Sequence, residues 1–265
     1  MKIVVFDLDE TLGYFVELGI FWDSLIKITG NYEFTQEEFN DILDLYPEFI
    51  RPNIENILKY LKKKKQLKKC HKIMIYTNNQ GPSKWVDHIL SYFETKINSK
   101  LFDQTIRAFK INGKQVEMNR TTHDKTYADL VRCTQIPNNA QICFLDDIYH
   151  PEMVHDNVYY INLKPYIHDL PLDVLVSRFM NSKIGQMLIN KLDKTDQIDI
   201  DNRLLSELEK YSYTYNEKTQ EETEIDEILG KEIMTHLKFF FNQSRSKTVR
   251  RKRKYGATSR KTTDL

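Results

Sequence analysis

Lys2-Ile3-Val4-Val5-Phe6-Asp7-Leu8-Asp9-Glu10-Thr11-Leu12 opens the chain almost at once, and its reading decides the fold. The β-branched run ahead of Asp7 has no polar alternation, so it reads as a strand buried on both faces, the kind that sits centrally in a parallel sheet. The run ends in carboxylates. Asp7 and Asp9 therefore arrive at the C-terminal end of the strand, where open α/β sheets place their ligands. The bland alternative is a turn whose aspartates cap backbone amides; further features that reach the same sheet edge argue against it.

Working outward, Thr35 and Glu38 have capping-box spacing, and Phe39, Ile42, Leu43 and Tyr46 recur at helical intervals until Pro47. Pro52 opens a second helix, with Ile54, Ile57, Leu58 and Leu61 on one face. Ile73-Met74-Ile75-Tyr76 is the next strand, and Gly81-Pro82 breaks the chain before a helix striped by Trp85, Val86, Ile89, Leu90 and Phe93. Residues 102–109 and 115–118 read as two strands of a small antiparallel hairpin turning at Asn112-Gly113. Residues 125–133 read as helix, and 141–145 and 158–163 as two more buried strands. This alternation predicts an α/β fold with a doubly wound, mostly parallel sheet and a β-hairpin insertion, over residues 1–165. Beyond Pro165 an α-helical extension (166–242) is expected, with Leu175, Phe179, Ile184, Met187 and Leu188 in one helix and Ile225, Ile228, Leu229, Ile233, Leu237 and Phe240 in another. Residues 197–202 and 213–223 read as loops, and 243–265 as a disordered basic tail.

With 265 residues, 40% hydrophobic and 29% charged, the chain can bury a real core. No apolar run approaches the roughly 18 residues needed to span a bilayer, and no signal-peptide succession opens the chain, so a soluble intracellular protein, cytoplasmic or nuclear and without a membrane partner, is expected. Cys70, Cys133 and Cys143 lack CxxC spacing, which argues against a disulfide framework or a zinc site, and Cys143 reads as a buried apolar filler. The net charge of +1 hides segregation: Lys62 to Lys65 with Lys68, Lys69 and Lys72 form a basic cluster, residues 217–227 are acidic, and nearly every charge between Arg245 and Lys261 is positive, including Arg250-Arg251-Lys252-Arg253-Lys254. That tail can contact nucleic acid through phosphates, serve as a nuclear import signal read by a receptor, or keep the chain soluble.

Thr77 ends the second strand and leads into Asn78-Asn79-Gln80, whose hydroxyl and amides can hold phosphoryl oxygens or cap a helix. Asp146-Asp147 ends the apolar run Ile142-Cys143-Phe144-Leu145 and brings a second acidic pair to the edge. Four carboxylates in one cleft repel unless a divalent cation sits among them, and an all-oxygen set favours magnesium over zinc. Lys125, at the head of the preceding helix, can reach the same cleft and steady a phosphoryl group; Arg120 and His123 read as exposed neighbours.

Together Asp7-x-Asp9-x-Thr11, Thr77, Lys125 and Asp146-Asp147, each at its strand or helix terminus, resemble the four motifs of the haloacid-dehalogenase (HAD) superfamily. With Arg51-Pro52 ahead of a helix and Phe144-Leu145-Asp146-Asp147, the chain looks most like the Fcp/Scp/Dullard branch, the NLI-interacting-factor-like phosphatases of the RNA polymerase II tail. Its overall arrangement is also similar to phosphatase-like proteins of large DNA viruses. The resemblance implies a Mg2+-dependent phosphatase in which Asp7 forms an aspartyl-phosphate and Asp9 serves as general acid, then base. It further implies that Thr11, Thr77, Asn78 and Lys125 hold the phosphoryl group while Asp7, Asp9, Asp146 and Asp147 serve the metal. The expected substrate is phosphoserine or phosphothreonine in a protein. The alternatives are a nucleic-acid end, as in polynucleotide 3′-phosphatases, a small metabolite, or no substrate in a catalytically idle adaptor. Asn78-Asn79 and Gly13-Tyr14-Phe15 depart from the branch, as does the helical pattern between Leu12 and Arg51.

Overall fold

The computed structural model describes residues 1–82, 84–192, 194–211 and 215–243. The basic run between Arg245 and Lys261 lies outside the described residues.

The apolar runs become strands. β1 (Lys2–Phe6), β2 (Lys72–Tyr76), β6 (Gln141–Asp146) and β7 (Val158–Asn162) join β3 (Gln104–Ile106) in a five-stranded sheet of order β3-β2-β1-β6-β7. Every pairing in it is parallel. The helices are α1 (Phe15–Ile28), α2 (Gln36–Leu43), α3 (Ile54–Gln66), α4 (Trp85–Lys96), α5 (Tyr127–Thr134), α6 (Leu172–Met180), α7 (Lys183–Lys191), α8 (Lys194–Gln197), α9 (Ile200–Glu209) and α10 (Gln220–Asn242). The order is compatible with a Rossmann-like α/β fold, in which successive crossovers leave β1 in opposite directions. The crevice at the C-terminal ends of β1 and β6 is thus a topological switch point.

Because side chains alternate along a strand, the sheet has two dry faces. Val4, Phe6, Ile73, Ile75, Cys143 and Leu145 meet the larger helical layer, while Ile3, Val5, Met74, Tyr76, Ile142 and Phe144 meet Leu130 and Cys133 of α5. Each large apolar side chain buried this way contributes roughly 1.5–3 kcal/mol. The register sets Phe6 beside both Ile75 and Leu145, so the residues that follow these strands emerge together at one rim.

Several expectations are corrected. Residues 102–109 do not form the hairpin: β3 lies within them and extends the main sheet, because Thr77 N donates to Ile106 O at 3.0 Å and Asp103 ties to Ile73 N at 2.7 Å. The hairpin is smaller, β4 (Lys110–Ile111) against β5 (Lys114–Gln115), closed by Asn112 at φ 49° and Gly113 at φ 77°, the left-handed pair a two-residue turn requires. The single helix expected across 175–188 is two, divided where Ser182 accepts a hydrogen bond from Gly185 N, which leaves Met187 exposed. The loop expected at 197–202 contains the start of α9, whose Ile200, Leu204 and Leu208 are buried at four-residue intervals against the common core. Of the loop expected at 213–223, residues 213–214 lie outside the described residues, and Thr219 already forms a capping box with Glu222 and starts α10. Helix α1, not read individually from the sequence, buries Phe15, Leu18, Phe21, Trp22, Leu25 and Ile28.

The helical extension is integral to the same core as the sheet: Leu204, Leu208, Ile233, Leu237 and Phe240 cluster with Phe6 and Leu145. At Gly230 the backbone of α10 comes so near α3's lead-in that a Cβ would stand 2.4 Å from Pro52 O, and Asn53 Nδ2 donates to Gly230 O at 2.8 Å. The three cysteines are free and buried, and no helix among the described residues is long and apolar enough to cross a membrane. Part of the basic cluster is engaged locally, with Lys62 donating to Ile97 O at 2.9 Å and Lys65 paired to Asp103 at 2.8 Å.

Candidate active site

Asp7 follows the last residue of β1 and is pinned by its own amide, which donates to Leu145 O at 2.9 Å. Its carboxylate meets Lys125, whose Nζ lies 2.6 Å from Asp7 Oδ1 and 2.7 Å from Asp146 Oδ2. Lys125 is 2% exposed, so this ammonium is held almost entirely by two carboxylates from neighbouring strands. It stands just before the helix: Thr126 is the N-cap of α5, accepting from Asp129 N at 3.0 Å.

The lead-in to Lys125 is clamped by Arg120, which the sequence reading put on the surface. Arg120 is buried, donates to Thr77 O at 3.2 Å, Arg107 O at 2.9 Å and His123 O at 2.8 Å, and lies over the Tyr76 ring at 4.9 Å. Its charge is consumed by carbonyls rather than by solvent, and this fixes the loop against the end of β2. His123 is exposed, at the edge of Phe109.

Asp146 is completely buried and both its oxygens are engaged, one by Lys125 and the other by Ile148 N at 2.9 Å, with His150 Nε2 at 3.5 Å. Asp147 accepts from Thr11 Oγ1 at 2.9 Å, which ties the loop after β6 to the loop after β1. That first loop is held open by Glu10 in the left-handed region at φ 57° and by the buried guanidinium of Arg51, which donates to Thr11 O at 2.7 Å and Lys164 O at 2.9 Å. One oxygen from each of Asp7, Asp146 and Asp147 lies within 4.8 Å of the others, so this buried cluster can hold a metal ion. The donors are all hard carboxylate oxygens, the set suited to a hard divalent cation. With both Asp146 oxygens already engaged, Asp7 and Asp147 have the most to offer it.

Asp9 is treated differently. Its Oδ2 accepts from Asn79 Nδ2 at 2.8 Å, while Oδ1 is buried with no hydrogen-bond partner among the described residues. Asn79 is itself oriented twice, its N–H donating to Thr77 Oγ1 at 2.9 Å and its Oδ1 accepting from Gly81 N at 2.9 Å. Asn78, the amide expected to hold phosphate, is exposed on the loop. The sequence placed Asn79 in the polar cluster but singled out Asn78, because the turn that Thr77 Oγ1 imposes decides which of two adjacent asparagines turns inward.

Burial dominates the electrostatics. It pushes the Asp7 carboxyl up to about 7, with Lys125 opposing and Asp146 and Asp9 adding to the rise. Asp9 is raised by burial against the Asn79 hydrogen bond, and Asp147 by burial against Thr11. Burial works to lower the Lys125 ammonium, but Asp7 and Asp146 outweigh it and hold it above its ordinary value. One ammonium faces four carboxylates at this rim, and a divalent cation would draw the raised aspartates back toward ionisation.

Comparison of the chain with protein-family models, with curated proteins and with solved structures finds no match in any of the three.

Proposed function

We propose that the protein is a Mg2+-dependent phosphatase of the HAD type, acting on phosphoserine or phosphothreonine in proteins. The observation that carries this reading is Lys125, a buried ammonium bridging Asp7 and Asp146 at 2.6 and 2.7 Å beside Asp147 and the Asp9–Asn79 pair. A purely structural ion network explains the pairing, but it leaves unexplained why Asp9 Oδ1 is buried without a partner in the same crevice.

Asp7, Asp147 and Asp146 would hold the cation, which supplies charge neutralisation to the phosphoryl group and to the clustered carboxylates. Asp7 attacks phosphorus, forming its own acyl-phosphate bond as the P–O bond to the leaving alcohol breaks. Asp9, raised by burial, supplies the proton to that alcohol. Since Oδ2 is occupied by Asn79, the proton belongs on Oδ1. In the second half, Asp9 as carboxylate takes a proton from water as the water attacks phosphorus, releasing inorganic phosphate and restoring Asp7. Lys125 and Thr77 bind phosphoryl oxygens, and Thr11 keeps Asp147 in place.

The test is hydrolysis of a generic phosphomonoester with and without Mg2+, run beside Asp7→Asn. Turnover that requires Mg2+ and falls at least about 10³-fold in the variant is the expected result. Equal turnover by both proteins removes Asp7 as the nucleophile.

A further inference from the structure

Asn79 faces two ways. Its amide holds Asp9 at 2.8 Å, and the same residue lines a cavity of about 240 Å³ that runs along α1 away from the carboxylates. Phe15, Val16, Ile20, Pro82 and Trp85 make the walls apolar, and Asp23, two turns along α1 from Val16, adds the carboxylate. Gly19 on the same wall leaves the space open, since a Cβ there would already touch the Trp85 ring at 3.5 Å. A second cavity of about 400 Å³ shares Pro82 and Trp85 and carries Glu33.

Asp23 forms no ion pair among the described residues; Lys27, one turn on, partly offsets its charge through space but gives its hydrogen bond to Tyr211 Oη at 2.7 Å, so Asp23 keeps an oxygen for a second cation. Lys84, the cation of the second cavity, is spent on Glu33 at 2.7 Å. Apolar walls ending in a carboxylate repel a polyanionic strand and suit a long apolar stem with a cationic head. The groove starts beside Asp9, where the leaving group departs, so its occupant is covalently close to the phosphorylated oxygen.

Resting on the phosphatase reading, we propose that this cleft takes the side chain of a lysine or arginine flanking the phosphorylated residue of a protein substrate, its stem on Trp85 and its head at Asp23.

The test separates binding from turnover. Serine phosphopeptides carrying lysine or norleucine at each of the two positions on either side are titrated calorimetrically onto the Asp7→Asn protein in Mg2+, with and without Asp23→Asn. At one position the lysine peptide should bind about tenfold more tightly than its norleucine counterpart, and Asp23→Asn should bring that ratio close to one. Gly19→Leu, placed in the chain with Asp7 intact, should weaken peptide turnover about tenfold or more while leaving hydrolysis of glycerol 2-phosphate near the parent's. If Gly19→Leu fails to fold, Asp23→Asn alone decides. Equal binding of lysine and norleucine peptides at every position, a preference that survives Asp23→Asn, or tighter binding of a 3′-phosphorylated oligonucleotide than of any lysine peptide overturns the proposal. A lysine preference in a protein whose parent hydrolyses no phosphomonoester would sink the phosphatase reading and leave the cleft assignment standing.

Discussion

Lys125→Met removes the ammonium and keeps most of the stem, leaving Asp7 and Asp146 facing each other with nothing between them. Breaking one member out of a buried ion pair costs about 3–5 kcal/mol, because an uncompensated charge stays behind. For a chain of this size each kcal/mol moves Tm by about 2–4 °C, so a drop of very roughly 6–20 °C follows when Asp7 must ionise. The loss depends on pH, and its sign can be worked out. A carboxyl whose folded value is raised, as at Asp7, contributes stability that is fully present below its unfolded value near 3.8 and is lost as pH rises through about 7. Without Lys125, which holds Asp7 down, the folded value climbs further, so the variant suffers more than the parent above neutrality. The Tm difference between parent and Lys125→Met in metal-free buffer should therefore be small at pH 5 and large at pH 8. Scanning calorimetry at the two pH values measures it. A difference that is the same at both, or larger at pH 5, refutes the reasoning that the ammonium is there to hold ionised carboxylates together.

Mg2+ should raise Tm more at pH 8 than at pH 5.5, since Asp7 must shed a proton before it can serve a cation, and EDTA should reverse the shift; below about pH 7 the apparent affinity should fall toward tenfold per pH unit. Asn79→Ala removes a hydrogen bond that lowers Asp9, so the pH at which Asp9 loses its proton should rise; the acidic limb of the pH–rate profile should move upward and kcat should drop about 10–100-fold, whereas an unchanged profile would mean that Asp9 is not the titrating base. Gly230→Ala gains about 1 kcal/mol of helix propensity but forces a Cβ to within 2.4 Å of Pro52 O, and overpacking of about 1–3 kcal/mol should win; denaturant titration should show a net loss, and a gain would mean that α10 can slide off α3 freely.

The order of residues along the chain settles only local features. Runs such as Ile3-Val4-Val5-Phe6 and Ile142-Cys143-Phe144-Leu145 can be satisfied only by burial on both faces, and Asp7, Thr77 and Asp146-Asp147 follow such runs directly, so their place at a strand end is written in the order of residues. What the tertiary structure alone decided is which polar groups lose their water. Arg120 and Arg51 look like surface residues until carbonyls from segments tens of residues away close around them. Lys125 becomes a bridge only because β6 docks beside β1, and Asn79 rather than Asn78 reaches Asp9 only because Thr77 Oγ1 folds the turn beneath it. Helix α9 likewise needs α1 and α6 to bury Ile200, Leu204 and Leu208, too few to stand out in a polar stretch. Apolar periodicity is a property of neighbours along the chain, whereas desolvation of a charge depends on partners brought from elsewhere, and no local pattern records them.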